Sequence, residues 1–356
     1  MAKATLFIPD ISGFTKFVKS TEINHSKHII EELINLIIKE GSDNFKVAEI
    51  EGDAVFFYTQ NTISYQQLID TTRQIFLAFH QHLLKYENQR ICNCGACQGA
   101  VDLNLKFVVN QGDVEMVTFN KQQSKPYGDA VIEVHRLLKN DIEGKEYILF
   151  ATKYLDKTPL SFDGSGSIED PDLGTISFRF KIIDDWRNDL KNFEVLHPDL
   201  VPDIQVEATG EINLKLDLLL QLLSDFQVRY LWDPEASLSF DANEINQTGT
   251  EHQCLIGSTN YEYETIKPHD DQYELSYGEM LRNARPFKHF EYHFFLNALD
   301  SERSVLVIRI KAIFRWKIQR FWNLHLRKKL IAESEETIES LKKSVPEFLK
   351  LQSTSI

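Results

Sequence analysis

The spacing of apolar residues changes repeatedly along the first half of the chain. Residues 4 to 11 form a nearly unbroken apolar run, which predicts a buried strand. In "SKHIIEELINLIIKE" (26 to 40), Ile29, Leu33 and Ile37 recur on one face, the spacing of an amphipathic helix. "FKVAEIEGDAVFFY" (45 to 58) holds two short apolar stretches around Glu51-Gly52-Asp53, which predicts a hairpin. A long helix is expected over 65 to 88, two strands over 103 to 117, a helix over 128 to 140 and a late strand over 175 to 183. Strand, helix, hairpin, helix and further strands describe an α+β fold with helices on one face of a sheet.

The pattern then breaks. "DDWRNDLKNFEVLHPDLVPD" (184 to 203) has two prolines and no regular apolar period. A domain over 1–185, a linker over 186–202 and a second domain over 203–348 with a tail over 349–356 follow. In the second domain a strand (204 to 212) and a helix (215 to 226) precede "RYLWDP". Four or five antiparallel strands run from about 237 to 314, and a long helix covers roughly 318 to 344. An antiparallel sheet gripping that helix is the packing this order predicts, so both halves are α+β.

Composition narrows the function. The chain has 356 residues, 42% hydrophobic and 26% charged, enough for two cores. A net charge of −14 argues against nucleic acid as a partner. No apolar run approaches the roughly 20 residues of a transmembrane segment. "MAKATLFIPD" lacks the features of a signal peptide, so a cytoplasmic location is expected, with the four cysteines reduced or holding metal.

The candidate chemistry centres on Asp10, at the tip of the first strand, and Asp53, at the turn of the hairpin. In an antiparallel sheet these positions can be neighbours. Two adjacent carboxylates repel unless protonated or bridged by a cation. Their oxygens suit Mg²⁺ or Mn²⁺, and the backbone N–H groups following Asp10 can hold phosphate.

"IPDISGFT" (8 to 15) resembles the F-x-D-I-x-G-F-T segment of the class III nucleotidyl cyclases, and "EGDAVFF" (51 to 57) their second metal segment. "FVVNQGDV" (107 to 114) is similar to their H-x-G turn, with Asn110 in the histidine place. "YGDAVIEVHRL" (127 to 137) is similar to their G-x-x-V-N-x-A-x-R-L helix. The resemblance implies a ferredoxin-like cyclase domain in which Asp10 and Asp53, assisted by the Ile11 carbonyl, carry two metal ions. Ser12, Gly13, Phe14 and Thr15 would hold a nucleoside triphosphate, and Arg136 would act catalytically as the transition-state arginine. One such domain per chain implies a homodimer. The chain departs from the family at Ile132, in the place of the ribose-orienting asparagine. It also departs at Glu49 and Lys125, which exchange the charges of the purine-reading pair.

"ICNCGACQG" (91 to 99) places Cys92, Cys94 and Cys97 densely enough for a structural zinc site, with His80 or His82 as the fourth ligand; a reduced, partly exposed loop and a redox role are the alternatives. His25, His28 and His135 read as surface or packing residues. The second domain resembles the START-like, polyketide-cyclase-like helix-grip family in element order and in Trp232-Asp233-Pro234. That resemblance implies a cavity for a small apolar ligand or lipid, which the aromatic residues of "FKHFEYHFFL" (287 to 296) and "FRWKIQRFW" (314 to 322) either line or fill as core. Arg315, Lys317, Arg320, Arg327, Lys328 and Lys329 form a basic stretch. Three functions fit these residues: a divergent cyclase with a ligand-sensing domain, a non-catalytic nucleotide receptor, and a ligand carrier that dimerises through a degenerate cyclase domain.

Overall fold

The computed structural model describes residues 2–19, 23–91, 94–119, 123–154, 161–191, 201–240, 246–316 and 323–354. The chain forms two compact units, Met1–Glu87 with Gly95–Phe193, and Asn88–Cys94 with Glu194–Ile356. Each combines a large sheet with helices, as the α+β reading expects.

In the first unit, β1 (Ala2–Ser12) is an inner strand of an eight-stranded sheet. The hairpin β2 (Lys46–Glu51) and β3 (Ala54–Thr59) flanks it on one side and β4 (Asn104–Phe119) on the other. Beyond β4 come β6 (Tyr147–Ala151), β8 (Gly174–Ile182) and β7 (Gly164–Asp170), while β5 (Gln123–Tyr127) pairs with the far end of β4. The helices are α1 (Phe14–Lys19), α2 (Ile23–Gly41), α3 (Tyr65–Asn88), α4 (Gly95–Gly99) and α5 (Asp129–Leu137). Leu6, Ile8, Val108, Val134 and Leu149 meet in a core with α5 on one face of the sheet.

The expected pair of strands over 103 to 117 is one continuous strand. β1 pairs with β4 from Ala2↔Val114 to Ser12↔Asn104 without a break, so the ladder carries the backbone straight through Gly112. Gly112 is needed there because a Cβ would fall 2.6 Å from that of Ala130 on α5. β6 and β7 are short, and neither shows the apolar alternation that would disclose it. A 3-10 turn over Asp184–Asp189, inside the segment expected to be linker and loop, packs into this unit through buried Trp186.

In the second unit, seven antiparallel strands run in the order β10-β11-β12-β13-β14-β15-β9. They are β9 (Ile204–Ile212), β10 (Ala236–Ser239), β11 (Glu251–Ile256), β12 (Thr259–Ile266), β13 (Leu275–Leu281), β14 (Phe287–Ala298) and β15 (Ser304–Phe314). Among the described residues six strands, rather than four or five, thus fill the span from about 236 to 314; β10 has only four residues and gives little pattern. α6 (Leu216–Ser224) leads into a 3-10 turn, Phe226–Leu231, and α7 (Asn323–Thr354) closes the unit. α7 extends past residue 344, because Val345 and Phe348 are buried in the core it shares with the sheet. It lies so close on β9 that a Cβ at Gly210 would be 2.4 Å from Ile338. Phe287, Phe290, Phe294 and Phe314 belong to that core, so these aromatic residues act as packing.

Candidate functional site

Strand register brings the two carboxylates together. Asp10 is paired with Ala54 on β3 and with Lys106 on β4, and the Ile11 amide donates to the Asp53 carbonyl at 3.0 Å. The turn between β2 and β3 therefore delivers Asp53 to the end of β1. Burial first, and then the Asp10 charge, push the Asp53 carboxyl above its usual range.

Lys106 completes this group. Its Nζ lies 2.9 Å from Asp10 Oδ2, with the two side chains 21% and 14% exposed. Burial works against the ammonium, but the Asp10 charge and hydrogen bond outweigh it and raise the lysine pKa, with a smaller contribution from Asp53. Two carboxylates against one ammonium leave a net negative charge. These hard oxygens suit a divalent cation completed by water and phosphate, since Mg²⁺ typically takes only one or two protein carboxylates. Among the described residues no group of three or more His, Cys, Asp or Glu forms a closed metal cage.

Next to the pair, Ser12 ends β1, and Gly13 turns the chain at φ 93°, a conformation that disfavours a side chain. Phe14 and Thr15 begin the six-residue α1, and the Phe17 amide donates to the Gly13 carbonyl at 3.0 Å. Glu49 and Lys125 meet across β2 and β5 at 2.8 Å, so the exchanged pair neutralises itself within one chain. Ile132 is 45% exposed on α5. Arg136, on the same helix, turns to Asp170 with 2.7 Å between Nε and Oδ2, and no contact joins it to Asp10 or Asp53 among the described residues. The Asp172 and Leu173 amides, and then Arg136, hold the Asp170 carboxyl below its usual range. Asn110 is fully buried; its Nδ2 donates to the Ala130 carbonyl (2.9 Å) and to Glu133 (3.1 Å), fastening α5 to β4.

Cys92 lies outside the described residues. Cys97 is buried in α4, and Cys94 is half-buried. His80 Nε2 is 2.7 Å from Glu146, and His82 Nε2 is 3.0 Å from Glu32, so both histidines suggested as fourth zinc ligands face carboxylates. His135 packs on Phe56 and approaches Glu51 at 3.3 Å. The side chain of His25 is outside the described residues, as are Lys317 and Arg320.

The second unit holds a buried polar cluster. Arg229, from the turn after α6, pairs with Glu279 on β13, and the Tyr277 hydroxyl donates to the same carboxylate. Burial alone would raise the Glu279 pKa, but Arg229 and His252 lower it. His252 stacks on Tyr263, and burial pushes its pKa down. Arg327 donates to the Gln205 and Asp203 carbonyls, so that member of the basic stretch anchors α7.

Lys106 and Arg229 are absent from the residues singled out by sequence. Lys106 had a signal: it is a lone cation between Leu105 and Phe107 in an apolar strand, where a charge needs a partner. Arg229 had none, because Glu279 lies 50 residues away.

A family model described as a protein of unknown function, DUF2652, matches residues 30–147. An uncharacterized protein, Rv2561/Rv2562 of Mycobacterium tuberculosis (strain ATCC 25618 / H37Rv), is 28% identical over 144 residues, which cover 38% of this chain and 67% of that protein. Among solved structures, the guanylyl cyclase Cya2 is similar with a TM-score of 0.37 and 12% identity, over 51% of this chain and 93% of that one. A START superfamily protein from Mycobacterium smegmatis is similar with a TM-score of 0.34 and 15% identity, over 40% of this chain and 97% of that one.

Proposed function

We propose that the first unit is a divergent class III cyclase-homology domain that binds a divalent cation, Mg²⁺ or Mn²⁺, and a nucleoside triphosphate. The observation that carries this reading is the convergence of Asp10 and Asp53, from separate strands, beside the turn at Ser12 and Gly13. Asp10 and Asp53 hold the cation, and the amides of residues 12 to 15 hold phosphate oxygens. Cyclisation would form a bond from the ribose 3′-oxygen to the α-phosphorus and release pyrophosphate, with the hydroxyl proton passing to solvent. A bound cation supplies charge stabilisation on the phosphates and acidifies that hydroxyl. Arg136 would leave Asp170 and offset phosphate charge from the other protomer of a homodimer. Exposed Ile50, Val117, Tyr127 and Ile132, on the neighbouring β2, β4, β5 and α5, support that association.

A second reading is a nucleotide receptor that does not turn over. Ile132 favours it, since an alkyl side chain cannot orient a ribose, and so does the self-neutralised Glu49–Lys125 pair. For the second unit we propose the sensing of a small apolar ligand between the sheet and α7, the reading that its order of elements supports; the polar cluster of Arg229, Glu279 and Tyr277 is paired within itself.

Full-length protein incubated with Mn²⁺ and each of the four triphosphates, with products resolved by mass spectrometry, separates these readings. Cyclic nucleotide and pyrophosphate are expected from an enzyme. Saturable binding without product identifies the receptor.

A further inference from the structure

We infer that Lys106 is a resident counter-cation of the Asp10–Asp53 pair, which a divalent ion must displace from Asp10 before it can load. This inference rests on the carboxylate pair being the cation site proposed above, and adds a device that governs its occupancy.

The placement is fixed by the sheet rather than by a mobile loop. Lys106 is the register partner of Asp10 on the adjacent strand, in a ladder that continues unbroken on both sides. Successive strand residues point to opposite faces, so Lys106 shares a face with Asp10 and not with buried Leu105 and Phe107, and its side chain is itself only 21% exposed. Nζ lies 2.9 Å from Asp10 Oδ2. A cation bound to that oxygen and the ammonium cannot share the position, because both need the same lone pairs and repel each other.

The remaining charge sets the outcome. One ammonium satisfies half of a doubly charged pair, so the site still attracts a divalent ion, but only against competition. Lys106 thereby keeps the site quiet when cations are scarce, without closing it. Occupancy by metal and release of the lysine are linked, and each must favour the other by the same factor.

The test uses the full-length chain and Mn²⁺ alone, with free ion followed by electron paramagnetic resonance. Lys106→Gln removes the competitor and is expected to bind Mn²⁺ about tenfold more tightly than the wild type. Lys106→Arg keeps the charge and is expected to stay within about threefold of the wild type, and circular dichroism checks both folds. Acylation of the wild-type Lys106 amine, read by peptide mass spectrometry, should rise when Mn²⁺ is added. Equal affinities for the wild type and Lys106→Gln, or acylation unchanged while Mn²⁺ is bound, would overturn the inference and leave the carboxylate site standing. Failure of both proteins to take up Mn²⁺ would defeat that site and the inference together.

Discussion

Asp53 carries an electrostatic cost in the folded chain that the proposed cation would relieve. Its carboxyl is held above its usual range, so between the ordinary value near 3.9 and the raised one the folded protein binds more protons than the unfolded chain. Stability is therefore lost as pH rises through that window. Asp53→Asn removes the repulsion with Asp10, and its melting temperature without divalent ions should rise by about 2–4 °C at pH 7 but little at pH 4. Calorimetry at the two pH values checks this, and an unchanged or lower melting temperature at pH 7 contradicts it. Both aspartates were legible in the sequence because each sits in a recognisable local string, Asp10 three residues before Gly13 and Asp53 directly after Gly52. Lys106 was less so: its role depends on a partner 96 positions away, set by a strand register that local spacing does not specify.

Single elements are held by buried charges that join them. β6, with its preceding Glu146, is tied to α3 by His80 and to the turn at Asp184–Asp189 by Arg187, whose Nε donates to Glu146 at 2.8 Å. Glu146→Ala would leave the His80 ring and the Arg187 guanidinium without that acceptor and should destabilise the first unit by about 3 kcal/mol in urea denaturation. Burial also pushes the pKa of His80 down, as it does those of His252 and His293. For such groups the unfolded chain binds more protons below about pH 6.5, so stability is fully present above that pH and is lost as pH falls beneath it. His80→Gln should flatten that acid limb, which a urea midpoint series from pH 7.5 to 5 would reveal. In the second unit, Gly210→Ala forces a Cβ into Ile338 and should cost about 1–3 kcal/mol by moving α7 off β9. The long helices and the β2–β3 hairpin could be read from periodicity and turn residues. The 3-10 turn around Trp186 could not, because a buried tryptophan among charged residues resembles linker until its partners on α3 are known.

At the scale of the whole molecule, the proposed chemistry requires two protomers. Apolar side chains lie exposed where β2, β4, β5 and α5 are neighbours, and burying them against a second copy is what a homodimer would accomplish. Replacing Val117 and Ile132 together by glutamate should shift the sedimentation of the protein from dimer to monomer and, in an enzyme, abolish product formation while leaving the fold intact. The order of the long helices and main strands in each half was legible without coordinates, whereas the short β5, β6, β7 and β10 and the split of the chain were not. Asn88–Cys94 belongs with the second unit although it lies deep within the first in sequence.

The most direct test of the cation site is calorimetric titration of nucleoside triphosphate with Mn²⁺ into the wild type and into Asp10→Ala with Asp53→Ala. Saturable, Mn²⁺-dependent binding that disappears in the double variant is the predicted result. The same binding curve in both proteins would contradict the account.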